Sequence, residues 1–181
     1  MKTIYFLTGN INKYNEAKEI ISDLEMLELD LFEIQEIDAK RVIEEKLKIA
    51  MTKGYKNIIV DDTSLSFDSM NGFPGPLIKW LGMSVGIESI PEMLRKLGNT
   101  KAEAITFIGY ADEEGNISYF EGRLRGEIVS FRGENGFGWD PIFLPENSNK
   151  TLAEMTLEEK NEISTRRTAL NKFKEFLNNN L

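Results

Sequence analysis

Asn57-Ile58-Ile59-Val60-Asp61 (NIIVD) reads as a short buried strand that ends in an acid. Upstream of it, Val42 to Thr52 places Ile43, Leu47 and Ala50 on one helical face, after a polar connection from Glu33 to Lys40. Met26 to Phe32 suits a second strand. A helix should run from about Asn12, with Ile11, Tyr14, Ala17, Ile21 and Leu24 at helical spacing. Lys2 to Thr8 (KTIYFLT) is rich in β-formers and is broken by Gly9-Asn10. Strand, helix, strand, helix, strand is the order of an α/β protein.

Downstream, Asn71 to Pro76 (NGFPGP) is a rigid turn, and Leu77 to Leu81 and Ser89 to Leu97 read as short helices. Glu103 to Asp112 and Asn116 to Glu121 form an antiparallel hairpin, and Arg125 to Phe131 is a further strand. Gly133 to Gly138 is a glycine-rich loop. A last helix starts near Thr156, where Thr156 and Glu159 make a capping-box pattern, and Ile163, Leu170, Phe173 and Leu177 form its apolar stripe. No internal repeat or linker divides the chain, so residues 1–181 are expected to form a single domain.

The composition narrows the chemistry. The 181 residues are 41% hydrophobic and 29% charged, as in a soluble globular protein. No apolar run is long enough to span a bilayer, and the first residues lack the form of a signal peptide, so a cytoplasmic location is expected. A net charge of −8 argues against wrapping nucleic acid. It leaves room for a small phosphate ligand bound by clustered lysines. There is no cysteine and no histidine, which rules out thiol nucleophiles, Cys/His zinc sites and Ser-His-Asp machinery. Carboxylates, lysines, arginines, hydroxyls and hard metal ions remain, and Mg²⁺ suits oxygen ligands.

Four constellations can carry that chemistry. Thr8-Gly9-Asn10 followed by Lys13 joins a strand to a helix, where free N–H groups and a partial positive charge hold phosphate. Read alone, an ordinary turn with Asn10 as helix cap is the simpler account. Asp61-Asp62-Thr63 stands at the carboxyl end of a strand, where open α/β sheets bind ligands, and alternation aims only one of the two acids at a site; read alone, a solvated acidic turn accounts for it equally well. Gly136-Phe137-Gly138-Trp139-Asp140 sets two rings around a glycine, so Phe137 or Trp139 can stack on a planar base and Asp140 can accept from ring N–H groups; the alternative is that the rings fill the core. Lys160 and Ser164 are four apart and share a helix face, which only one of Arg166 and Arg167 can join; read alone, a solvated charged face is the simpler account. Gly82-Met83-Ser84-Val85-Gly86 matches the serine-hydrolase elbow but lacks the preceding strand and any histidine.

Taken together, TGN with Lys13 and Glu16, VDDTSLSF at Val60–Phe67, NGFPGPLIKW at Asn71–Trp80, GFGWDPIF at Gly136–Phe143 and AEMTLEEKNEIS at Ala153–Ser164 with Arg166 resemble the inosine triphosphate pyrophosphatase (Ham1-like) family. The resemblance implies an elongated α/β fold with a mixed central sheet, flanking helices and two lobes around a substrate cleft, and a homodimer. It implies hydrolysis of non-standard purine nucleoside triphosphates (ITP, dITP, XTP) to monophosphate and pyrophosphate, with Mg²⁺ as cofactor and Mn²⁺ as a substitute. By matching position, Thr8, Gly9, Asn10 and Lys13 hold the triphosphate, and Asp62 is the acid at the metal and the activator of water. Asp61 and Glu33 are further metal ligands, with Glu36 a rival to Glu33. Lys46, Lys79, Lys160, Ser164 and Arg166 contact substrate, and Phe137, Gly138, Trp139 and Asp140 form the base pocket. The family reads Ser-His-Arg where this chain reads Ser164-Thr165-Arg166, which puts the base preference in question. A Maf-like pyrophosphatase with other base preference, or a nucleotide-binding module without catalysis, are the alternatives.

Overall fold

The computed structural model describes residues 3–29, 33–136 and 138–180. Their elements, in chain order, begin with β1 (Ile4–Leu7), α1 (Ile11–Ile20), β2 (Leu24–Leu27), α2 (Ala39–Thr52) and β3 (Ile58–Phe67). They continue with β4 (Pro74–Gly75), α3 (Ile78–Val85), α4 (Ile90–Lys96), β5 (Lys101–Ala111) and β6 (Ile117–Ile128). β7 (Phe143–Pro145), α5 (Leu157–Glu162) and α6 (Thr165–Asn179) complete the order. The strands form one seven-stranded sheet in the order β2-β1-β3-β5-β6-β7, with β4 beside β3 off that path. β1 runs parallel to β2 and β3, whereas β3–β4 and β6–β7 are antiparallel. This is the mixed α/β architecture that the alternation of elements implies.

The chain folds into two compact units. The first holds the chain up to Thr63, Thr106–Gly122 and Arg166 onward; the second holds Ser64–Ile105 and Arg123–Thr165. β3, β5 and β6 contribute residues to both. In the first unit, Phe6, Leu24, Ile59, Ile108, Leu170 and Phe173 are sealed from solvent in one core. Phe173 meets Tyr110 at 5.0 Å and Phe120 at 5.3 Å between ring centroids, with the rings tilted by 44° and 47°. In the second, Leu65, Phe67, Ile90, Leu94, Ala102 and Phe143 form a separate core.

Several boundaries differ from the sequence expectation. α1 closes where the Ile21 N–H donates to the Ala17 carbonyl, and β2 begins at Leu24, because that leucine packs wholly buried beside Ile4 in parallel register. The expected strand Met26 to Phe32 therefore starts two residues early and ends at Leu27, with Glu28 and Leu29 outside the strand; 30–32 lie outside the described residues. β3 does not stop at Asp61 but continues to Phe67, since Leu65 and Phe67 enter the second core and β4 pairs with Leu65 and Ser66. The two strands expected at 116–121 and 125–131 are the single strand β6.

The last expected helix is two helices. Thr156 and Glu159 do form the capping box of α5, but the chain breaks at Ile163 and Ser164 before α6 starts. Ile163 packs on the second core, while Leu170, Phe173 and Leu177 pack on the first. Lys160 and Ser164 thus do not share a helix face. α3 is longer than expected, and Gly82 to Val85 lie in its last turns, where the Ser84 hydroxyl donates to the Trp80 carbonyl. No nucleophile elbow exists there. Among the described residues, no helix is long and apolar enough to cross a membrane.

α2 illustrates how sequence becomes packing. Ala39, Val42, Ile43, Leu47 and Ala50 recur at helical spacing and are all buried, and Asp38 caps the first turn by accepting from the Lys40 N–H. Gly109 on β5 admits this helix: a Cβ there would collide with the Ile43 side chain and stand 3.1 Å from Leu47 Cδ1. Gly109→Ala should therefore destabilise the protein by about 1–3 kcal/mol through overpacking. Urea denaturation checks this, and a loss below about 0.5 kcal/mol would mean that α2 is not held tightly against the sheet.

Candidate active site

The first cluster lies in the first unit and is assembled from β1, α1, β3 and α6. At the end of β1 the Thr8 hydroxyl accepts from the Asn10 N–H at 3.1 Å. Asn10 Oδ1 then accepts from the Asn12 and Lys13 N–H groups at 3.0 and 3.3 Å, so this asparagine caps α1 as a simple reading of the turn anticipates. The cap orients the first turn, from which Lys13 Nζ donates to Asp61 Oδ1 at 3.0 Å. The other Asp61 oxygen accepts from Arg166 Nε at 2.9 Å. Arg166 also donates to Glu16 Oε2 at 2.9 Å and to the Thr63 hydroxyl at 3.3 Å, and Thr63 pairs with Thr106 at 3.0 Å.

Asp61 and Asp62 are adjacent yet chemically unlike, because a strand sends successive side chains to opposite faces. Burial alone would push the Asp61 carboxyl up. Lys13 and Arg166 outweigh it and hold Asp61 at about 2. For Asp62, burial is the largest influence and wins: Lys46 and Lys13 pull the carboxyl down, Asp61 and Glu33 push it up, and it settles at about 6. One acid is thus a fixed anion, and its neighbour exchanges a proton near neutral pH.

Glu33 lies near Asp62 through Lys46, whose Nζ stands 3.0 Å from Glu33 Oε2. Glu36 instead takes Arg41 at 3.3 Å and the Ile37 N–H. Among the described residues, no group of three or more metal-ligating side chains is gathered into a cage. Mg²⁺ does not require one, since it binds through one or two carboxylates together with substrate phosphates. Asp62 and Glu33 fit that donor set, and a cation beside Asp62 offsets the burial of its charge. Both Asp61 oxygens already serve Lys13 and Arg166.

The second cluster lies in the second unit. Asp140 is 4% exposed and accepts from Lys160 Nζ on α5. Gly136 sits at φ +85° with its backbone so close to Asp140 that any Cβ would strike the carboxylate. Trp139 is half-buried, packed edge-on against Phe143 at 5.4 Å, so much of this ring serves the core. Gly138 is exposed at φ +61°, and Phe137 lies outside the described residues. Lys79 is exposed on α3 with its Nζ 5.5 Å from the Trp80 ring centroid. Ser164 and Thr165 occupy the junction of α5 and α6.

The structure therefore gathers Lys13, Asp61 and Arg166 with the charges that act on Asp62, and separately gathers Asp140 with Lys160. Three participants carried no assigned role in the sequence. Glu16 had a signal, standing three residues from Lys13 on one helix face. Thr63 shares a strand face with Asp61. Thr106 had none, because its partner is 43 residues away.

The raised Asp62 carboxyl fixes a pH dependence. Its folded value, about 6, lies above the unfolded 3.8, so the folded chain binds more protons between those values and loses stability as pH rises through that window. The loss amounts to about 3 kcal/mol. Asp62→Asn, which cannot ionise, should be more stable than the parent at pH 7.5 without metal, with the gap closing below pH 4. Urea unfolding in chelator at both pH values checks this; an equal gap at both would sink it.

Comparison with known proteins follows the same lines. The Ham1 family model matches residues 4–176. The inosine triphosphate pyrophosphatase of Kluyveromyces lactis is 42% identical over 97% of this chain and 96% of its own length. The dITP/XTP pyrophosphatase of Methanopyrus kandleri is 38% identical over 98% of this chain and 97% of its own. The structure of the Staphylococcus aureus Ham1 protein superposes with a TM-score of 0.86 at 30% identity, covering 99% of this chain and all of that one. With its motifs, its sheet and nearly its whole length matched, the chain belongs to the Ham1 family.

Proposed function

We propose that this protein is a nucleoside triphosphate pyrophosphatase that hydrolyses non-standard purine nucleoside triphosphates, such as ITP, dITP and XTP, to the monophosphate and pyrophosphate. The carrying observation is the unlike carboxylate pair, Asp61 clamped by two cations and Asp62 held near 6. It stands in a chain about 40% identical to inosine triphosphate pyrophosphatases over nearly its full length.

In this reading Lys13 and Lys46 place positive charge on the triphosphate, with the Thr8-Gly9-Asn10 turn fixing where Lys13 stands. Asp62, ionised above about pH 6, accepts a proton from the attacking water. The water oxygen bonds to the α-phosphorus as the bond from that phosphorus to the bridging oxygen breaks, and pyrophosphate departs with the electron pair. Catalysis is then mostly positioning and charge stabilisation. Asp62 and Glu33 are the residues that would hold Mg²⁺, which when bound neutralises phosphate charge and acidifies a water. Trp139, Asp140 and Lys160, with Phe137, Gly138, Lys79, Ser164 and Thr165, are the candidates for contacts to the base and the rest of the substrate. Asp140 is an acceptor suited to a purine ring N–H. Thr165 offers a hydroxyl, which can donate but cannot become cationic, where the family has histidine. Resemblance to the family also carries a homodimer in the cytoplasm, which sedimentation and fractionation test.

A triphosphate panel with product identification decides the reading. ITP, XTP and dITP should turn over with release of pyrophosphate in Mg²⁺, with little turnover of dTTP or UTP. Preference for dTTP or UTP would indicate a Maf-like activity, and diphosphate plus phosphate as products would overturn the reaction itself. Binding of ITP with no pyrophosphate release would indicate a non-catalytic module. Asp62→Asn should lose at least about 10²-fold in kcat while keeping its circular dichroism spectrum. Near-parental turnover by that variant would remove Asp62 from the chemistry.

A further inference from the structure

We infer that Thr151 is a positioning residue for base selection, holding from behind the segment that leads to Trp139 and Asp140; this rests on the pyrophosphatase reading above. Thr151 is wholly buried in the second unit. Its hydroxyl donates to the Arg132 carbonyl at 2.9 Å, and its N–H donates to Glu154 Oε2 at 2.8 Å. The threonine thus joins two stretches of chain, 132–136 and the turn Leu152–Glu154.

The join is made at more than one point. The Asn135 N–H donates to the Ala153 carbonyl at 3.0 Å. Between these contacts Gly133, at φ +88°, lies flush on the turn: a Cβ there would stand 2.5 Å from the Ala153 carbonyl carbon, so backbone rests on backbone. The Arg132 N–H donates to the Pro141 carbonyl at 2.9 Å, which closes the segment beyond Asp140. Arg132 is thereby held through both of its backbone polar groups. Leu152 and Met155 pack in the core that also holds Ile142 and Phe143, and Thr156 then opens α5, which carries Lys160. Asp140 and its partner Lys160 are therefore referred to one anchor, the turn that Thr151 begins.

In nucleotides, hypoxanthine and xanthine carry an N–H in the six-membered ring where adenine has only a lone pair. An acceptor fixed at Asp140 favours the first two and rejects the third. That preference depends on position, because a hydrogen bond weakens steeply as its angle and distance drift. Without the Thr151 hydroxyl, Arg132 is untied from the turn and the segment 132–136 is free to shift. Gly136, whose backbone abuts the Asp140 carboxylate, carries that shift to the acceptor. Lys13, Lys46 and Asp62 belong to the first unit and make none of these contacts. The loss therefore falls on recognition of the base and spares the cleavage step.

The experiment measures kcat and KM of the purified protein on ITP and ATP in Mg²⁺. Thr151→Val should raise KM for ITP by about fivefold or more, with kcat within about twofold of the parent. The ITP-to-ATP ratio of kcat/KM should fall by a similar factor, and Thr151→Ser, which keeps the hydroxyl, should restore it. Glu154→Ala, at a partly exposed position, loosens the same turn and should lower the ratio by about threefold; it decides the matter if Thr151→Val does not fold. Equal losses of kcat on both triphosphates with the ratio unchanged would make Thr151 a purely structural residue and overturn the inference. Parental kinetics in both variants would overturn it as well. A parent that cleaves ATP as readily as ITP would remove the selection that Thr151 is said to serve, while leaving the cleavage reaction standing. Should the parent release pyrophosphate from neither, the pyrophosphatase reading fails and takes this inference with it.

Discussion

The carboxylate of Asp61 is the fixed point of the first unit's polar interior. It is buried, and a buried anion is stable only when it is paired and hydrogen-bonded. Lys13 and Arg166 supply both conditions, one from each side. Because they come from α1 and α6, the single carboxylate ties two helices to β3. The Asn10 cap and the Arg166 contact to Glu16 follow from where those helices must stand. The charge of Asp61 also reaches its neighbour, helping burial to keep Asp62 protonated to higher pH. Asp62 is therefore tuned in part by an acid both of whose oxygens are already engaged.

The apolar structure is organised in two centres. Phe6, Ile59, Ile108 and Phe173 serve one, and Leu65, Phe67, Leu94 and Phe143 serve the other. β3 supplies residues to both, with Asp61, Asp62 and Thr63 between its two apolar stretches. Polar residues in the interior of a ten-residue strand are costly unless something uses them. Here every one of the three contributes to the ionic cluster or to the charge balance around it.

Local pattern made much of this legible. The run Ile58-Ile59-Val60 reads as a buried strand, and the spacing of Ile43, Leu47 and Ala50 as one face of a helix. The Thr156–Glu159 box was readable because capping is a contact between near neighbours. What the sequence hid was decided at long range. Asp61-Asp62-Thr63-Ser64 looks like a strand end, yet β4 and the second core pull the strand onward. No glycine or proline marks the break at Ile163 and Ser164; it exists because the apolar residues on either side belong to different cores. The Ham1 resemblance named Lys13, Asp62 and Arg166, but assigned no role to Glu16, Thr63 or Thr106, whose importance appears only when the chain is folded.

The order in which the pieces of the first unit occur along the chain has a consequence for its birth on the ribosome. Its strands β1 to β3 are made first, and Asp61 with them, but Arg166, Leu170 and Phe173 come only after the whole second unit has been synthesised. Until then Asp61 has Lys13 alone of its two cationic partners, and the face around Phe6 and Ile59 lacks Leu170 and Phe173. The second unit, by contrast, has all its residues once Thr165 is out. The ionic centre of the first unit therefore cannot be complete before α6, which carries Arg166, has been made.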